Sequence, residues 1–292
     1  MPAPSTRLLG LLLALAAPLS WSVGGVIIRS VEAGPWDIVF WRAAGHVLCF
    51  PIVLWWLWGR SALSDLRAVG RPALAVAFFM SCTLVFHVLA MTRTTVANVL
   101  ILQSMSPLLV AILAWILLDE RLRASGWLIL AVAFAGLALV IGGSLGGGDI
   151  SGDLFALAVA VFSAAHVTLI RRHRARNLAA VTLPAAILAI AVSLPFAQPL
   201  VVSLSDIGLL ILLGGVQMSF GLTCFILALR YLPAAEVTLI ALLEPIIGPV
   251  WVWLLIGEQP ALTTIIGGAI VLGALAAYVL LAARRDRGTV TP

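Results

Sequence analysis

Ten apolar runs, each long enough to cross a bilayer and parted only by short loops, fill most of the 292-residue chain: 8–28, 35–58, 72–91, 96–118, 125–141, 154–170, 178–197, 207–229, 234–256 and 262–283. A helix needs about 20 apolar residues to span the hydrocarbon, where every backbone N–H and C=O must be satisfied within the segment. The runs therefore predict an all-α integral membrane protein of ten transmembrane helices. Composition closes the soluble alternative. With 63% apolar and 10% charged residues, against about 25% charged in an ordinary soluble domain, too little polar surface remains to keep such a chain in water. Ten spans of about 20 residues also leave no room for a separate soluble domain. The first run, behind Arg7, has the shape of a signal peptide, but with nine further spans a retained helix is expected.

All seventeen basic residues are Arg, which excludes Schiff-base and pyridoxal phosphate chemistry on a Lys. With the N-terminus inside, fourteen of them share the inner side: Arg7, Arg60, Arg67, Arg71, Arg121, Arg123, the cluster Arg171, Arg172, Arg174 and Arg176, then Arg230, Arg284, Arg285 and Arg287. Arg29 and Arg93 fall outside, and Arg42 lies within a span. Cytoplasmic loops collect positive residues, so a bacterial-type inner (plasma) membrane protein with both termini cytoplasmic is expected. The net charge of +5 is then an orientation signal, and Arg residues scattered between apolar runs make no face for nucleic acid. Cys49, Cys82 and Cys224 sit in apolar runs without CxxC spacing and read as small hydrophobes. No metal site and no cofactor are expected.

The chain also matches itself at a shift of 138 residues. Met80 and Ser81 fall on Met218 and Ser219, Pro107 on Pro245, Trp115 on Trp253 and Glu120 on Glu258, and eleven of the forty-one pairs from Met80 to Glu120 are identical. A Pro, a Trp and a Glu in fixed register point to duplication. The predicted units are residues 1–149 and 150–292, each with five spans. Because five is odd, the second unit enters the membrane in the opposite sense. This is the inverted-repeat plan of secondary transporters, which hold substrate near the midplane and alternate access by rocking one half against the other.

The stretches SMSPLLVAILAWILLDERL and LLEPIIGPVWVWLLIGEQP, with LSWSVGGVIIR and FWRAAG, resemble the fourth, ninth, first and second helices of the drug/metabolite transporter superfamily, EamA type. The size and plan are similar to its amino-acid exporters of the YddG type. The resemblance implies two inverted five-helix repeats around a central cavity lined by helices 1, 3, 4, 6, 8 and 9, with helices 5 and 10 as packing helices. The sequence offers a matching stripe of small residues there, Ala131 and Ala135 against Ala269 and Gly273, with Ala277 next. One departure is that Trp21 has Ser163 as its counterpart, where the family often repeats an aromatic.

Polar groups inside the spans are costly and mark where to look for a site. Glu244 lies mid-helix before Pro245, which frees the carbonyl of Ala241. It reads either as a midplane proton or cation site or substrate-ammonium contact, or as a Glu neutralised by that carbonyl or by an Arg. Its repeat counterpart is Ser106. Arg42, roughly 10 Å into the membrane at 1.5 Å per residue, shares a face with His46 and could take a substrate carboxylate or anchor a helix end. Met80, Thr83 and His87 share one stripe, Ser163 and His166 another. His87 toward the outer side and His166 toward the inner are candidates for gating or proton relay, as are Arg42 and Glu244; each His could equally be a packing residue. Gln103 and Ser106, beside the hinge residue Pro107, and Gln217, Met218 and Ser219 offer groups to hold a zwitterion or to glue helices together. Trp21, beside Gly24 and Gly25, is the aromatic expected against substrate. Asn98 and Glu236 are expected to cap helices, Glu120 and Glu258 to make loop contacts at opposite faces, and Trp36, Trp55, Trp56, Trp58 and Trp127 to anchor at the interface.

A membrane-embedded enzyme is disfavoured, since there is no HExxH, no Cys/His cluster and no pair of intramembrane Asp residues. A channel fits the proline-interrupted repeat less well than a carrier. The expectation is a non-enzymatic exporter, acting as a monomer in the lipid bilayer, of amino acids, aromatic or broad-range. Alternatives are another small solute or a drug, with protons as a counter-substrate.

Overall fold

The computed structural model describes residues 4–59, 70–118, 124–144, 150–173 and 178–288, and among these every regular element is helical. Among the described residues nine helices are long and apolar enough to cross a membrane, and the shorter apolar helix Val181–Ser193 occupies the remaining predicted span. We number the spans α1 (Pro4–Ser22 with Gly24–Ser30), α2 (Pro35–Trp58), α3 (Gly70–Met91), α4 (Val96–Gln103 with Ser106–Leu118), α5 (Ala124–Ser144), α6 (Ile150–His173), α7 (Leu178–Ser193), α8 (Leu204–Ile211, Leu212–Met218 and Ser219–Ala228), α9 (Ala234–Ala241 with Glu244–Ile256) and α10 (Leu262–Gly288). Several of the predicted inner Arg residues (Arg60, Arg67, Arg121, Arg123, Arg174, Arg176) and Glu120 lie outside the described residues.

Four spans are interrupted, each for a local reason. In α4 and α9 a Pro follows the break, and its missing N–H cannot continue the ladder. The chain crosses each gap on tighter bonds, Met105 N to Leu102 O (3.2 Å) and Leu243 N to Ile240 O (3.0 Å). α1 is interrupted at Val23, before Gly24 and Gly25. The middle of α8 winds as a π-helix over Leu212–Met218. There Gly214 and Gly215 lie against the α2 backbone so closely that a Cβ on Gly214 would strike Arg42 O. The sequence carries no signal for that wider turn.

The helices pack as α3 with α6, α1 with α8, α2 with α7 and α8, and α5 with α10. The last pairing follows the expected roles of α5 and α10 but corrects the stripe. Ala131, Ala135, Ala269 and Gly273 are exposed. The contact runs instead through Gly136 and Gly267, where an added Cβ would lie 2.8 and 2.5 Å from the other's carbonyl oxygen. Ala is indifferent to a lipid neighbour, so a stripe of Ala does not mark an interface as Gly against backbone does.

One end of the bundle, carrying Arg29 and Glu258, is tightly closed. The first half of α4 packs against the second half of α9, and Val96, Leu100 and Val252 are buried beneath Gly25 and Gly248. Gly257 takes the left-handed conformation (φ 82°) that ends α9. Beyond it Glu258 accepts from Val96 N (2.7 Å), the first N–H of α4, and pairs with Arg29 (2.9 Å). Arg29 also donates to Thr94 O (2.6 Å). Asn98 is not the cap expected of it: Thr95 caps α4 by accepting from Asn98 N (3.2 Å). The Asn98 side chain is a buried hub, donating to Asp153 (3.1 Å) and accepting from Thr264 (2.6 Å). At the opposite end Glu236 pairs with Arg7 (3.1 Å) across an exposed surface.

Candidate functional site

A cavity of about 480 Å³ lies where the breaks of α1, α4 and α9 meet α3, α6 and α8. Its size falls within the about 300–1,000 Å³ of small-molecule sites. It gathers Trp21, Arg42, Met80, Thr83, His87, Gln103, Ser106, Ser163, Gln217, Met218 and Glu244, together with the hinge prolines Pro107 and Pro245. His166 is not among its lining residues: its Nδ1 donates to Phe162 O of its own helix (3.2 Å). His46 also lies off the cavity. It is buried between α2 and α8, stacked on Phe50 (4.6 Å between ring centres), with Nδ1 3.1 Å from Ser219 Oγ.

The breaks explain how polar groups are tolerated there. Glu244 opens the second half of α9, where a helix N-terminus has free N–H groups and a dipole that favours negative charge. Ser106 opens the second half of α4 in the same way. His87 Nδ1 donates to Gln103 Oε1 (3.0 Å) and ties α3 to α4. Gln217 Nε2 donates to Trp21 O (2.9 Å) at the interruption of α1, and Ser20 Oγ donates back to Gln217 O (2.8 Å). Gln217 is thus a clasp between α1 and α8 as well as a wall residue. Gly221 makes room for Trp21, whose indole stands where a Cβ would be and lies 5.8 Å from the ring of Phe225.

Arg42 reaches the wall from α2. Among the described residues its Nη2 meets the thioether of Met218 at 4.0 Å, and its Nε and Nη1 are buried without hydrogen-bond partners. No described ion pair joins it to Glu244.

Residues passed over in the sequence also line the cavity, among them Phe225, Leu222 and Thr238. The repeat register would have found them. Leu84 and Leu222, His87 and Phe225, and Leu100 and Thr238 are each 138 apart, as are Gln103 and Ala241, Ser104 and Leu242, and Ser106 and Glu244; every one lines the cavity. Trp21 and its counterpart Ser163 are both lining residues, as are Gly25 and Val159.

The model of the EamA-like transporter family matches the chain twice, over residues 8–142 and 150–280. The chain is 30% identical over 272 residues to the pseudopaline exporter CntI of Pseudomonas aeruginosa strain UCBPP-PA14, covering 90% of this chain and 93% of that protein. The same identity and coverage, over 274 residues, relate it to CntI of strain PAO1. A solved crystal structure shares the fold at a TM-score of 0.63 and 22% identity, covering 96% of this chain and 97% of that one.

Proposed function

Since the chain belongs to the EamA-like transporter family, we propose that it exports small amino-acid-like metabolites from the cytoplasm by alternating access between two five-helix units, residues 1–149 and 150–292. The observation that carries this reading is the cavity itself, walled by register-related residues of both repeats and placed at the helix breaks. Inverted-repeat carriers bind at such breaks. In this reading the protein works as a monomer in a bacterial-type inner membrane with both termini cytoplasmic. The end closed by Arg29 and Glu258 faces outside, so the structure is a state that loads from within. Trp21, Leu222 and Phe225 give the cavity an apolar, aromatic wall suited to an apolar side chain.

Proteoliposomes loaded with amino acids test the proposal. Saturable, stereoselective efflux supports a carrier, and ohmic current without solute movement overturns it. The relatives favour a second reading, export of pseudopaline, which the same assay separates by its cargo. Coupling to protons is tested on Glu244→Gln: if it is the coupling residue, an imposed pH gradient no longer raises export above the rate the same variant shows at equal pH.

A further inference from the structure

Arg42 and Glu244 are the two formally charged side chains among the described residues that line the cavity. They come from opposite halves, and neither has a charged counterpart: Ser106 stands against Glu244, and the span 178–197 that answers α2 in the second half holds no charged residue. The pair is therefore no residue of the duplication. They line one cavity, yet the described ion pairs, counted to 4.0 Å, are Arg7 with Glu236 and Arg29 with Glu258. A pair kept for stability would close, because an unpaired charge away from water is costly. Instead the one described hydrogen-bond partner of the guanidinium is a thioether, a weak acceptor on a flexible, easily displaced chain.

We propose that Arg42 and Glu244 form a charge-separated clamp that selects cargo with one carboxylate and one ammonium and no net charge, the carboxylate displacing Met218 from Arg42 and the ammonium docking on Glu244. The proposal rests on the amino-acid reading above and names what that reading leaves open, the charge rule of the site. A cargo lacking either group leaves one wall charge without a partner. A site built to pair a polar group discriminates strongly against an analogue without it. The apolar wall of Trp21, Leu222 and Phe225 takes the rest of the molecule and contributes little to the choice of charge.

Matched triples test the rule in proteoliposomes of the full chain: phenylalanine, leucine and histidine, each with its N-acetylated and its decarboxylated form, as competitors of labelled amino-acid uptake. Wild type is expected to prefer each zwitterion over both derivatives by about tenfold or more. Glu244→Gln narrows the gap to the N-acetyl forms, and Arg42→Gln narrows the gap to the amines, each leaving the other gap in place. Derivatives that compete as well as zwitterions in wild type, or gaps unchanged in folded variants, overturn the clamp while leaving amino-acid export intact. Failure of all three zwitterions overturns both. Arg42→Lys and Glu244→Asp, which keep the charges, carry the test where a neutral variant does not fold: they retain the zwitterion preference, and its loss in a folded protein overturns the clamp.

Discussion

Gly221 is glycine because Trp21 stands where its side chain would be. Gly221→Ala should push the indole into the cavity. Overpacking of this kind costs about 1–3 kcal/mol, so KM in the efflux assay is expected to rise about fivefold or more, with expression and folding intact. An unchanged KM would show that Trp21 is no wall of the binding space. Single residues were legible in the sequence where they broke an apolar pattern. Arg42, Glu244 and Gln103 stood out as polar groups within spans, and all three line the cavity. Phe225 and Thr238 did not stand out, because an aromatic or a Thr in an apolar run is ordinary. They become visible only as the register partners of His87 and Leu100. His166 shows the converse: a His at helical spacing from Ser163 looked like a wall residue, yet its Nδ1 bonds within α6.

The α5–α10 contact depends on backbone approach at Gly136 and Gly267 rather than on the alanines beside them. Gly136→Val should force the helices apart and lower the melting temperature of the detergent-solubilised protein, at a cost of about 1–3 kcal/mol. Ala131→Val and Ala135→Val, on exposed positions, should shift it by no more than about 0.5 kcal/mol. Equal effects at the two sets of positions would reject this contact surface. Gly257→Ala, at a left-handed φ, should cost about 1 kcal/mol in the same melt. The helix breaks were legible wherever proline wrote them, at Pro107 and Pro245. The π-helix of α8 was not, because it is set by Gly214 and Gly215 packing against α2, a tertiary contact that leaves no period in the sequence.

The ten spans and the duplication were legible because apolar length and a fixed register survive without any knowledge of packing. Which end of the bundle is shut was not, since it turns on contacts between residues far apart in sequence, such as Glu258 with Val96 N and Arg29. Glu258→Gln should loosen that end. A Cys placed at Met91, on the cavity wall, in a protein otherwise free of Cys, should then react several-fold faster with an impermeant maleimide added from the Arg29 side; an unchanged rate would show that Glu258 does not hold the end closed.

The same closure has a thermodynamic meaning. The Arg29–Glu258 pair, about a quarter and a fifth exposed, and its hydrogen bonds to Val96 and Thr94 amount to a few kcal/mol at most, by the usual worth of such contacts. A gap of that size leaves the minor conformer at about 0.1–10% of molecules. As far as these polar contacts go, the closed end is a bias in a population rather than a lock. A cargo that binds the open form only about a hundredfold better would be enough to redistribute that population, and the weakness of the fastening is what lets a small solute work the carrier.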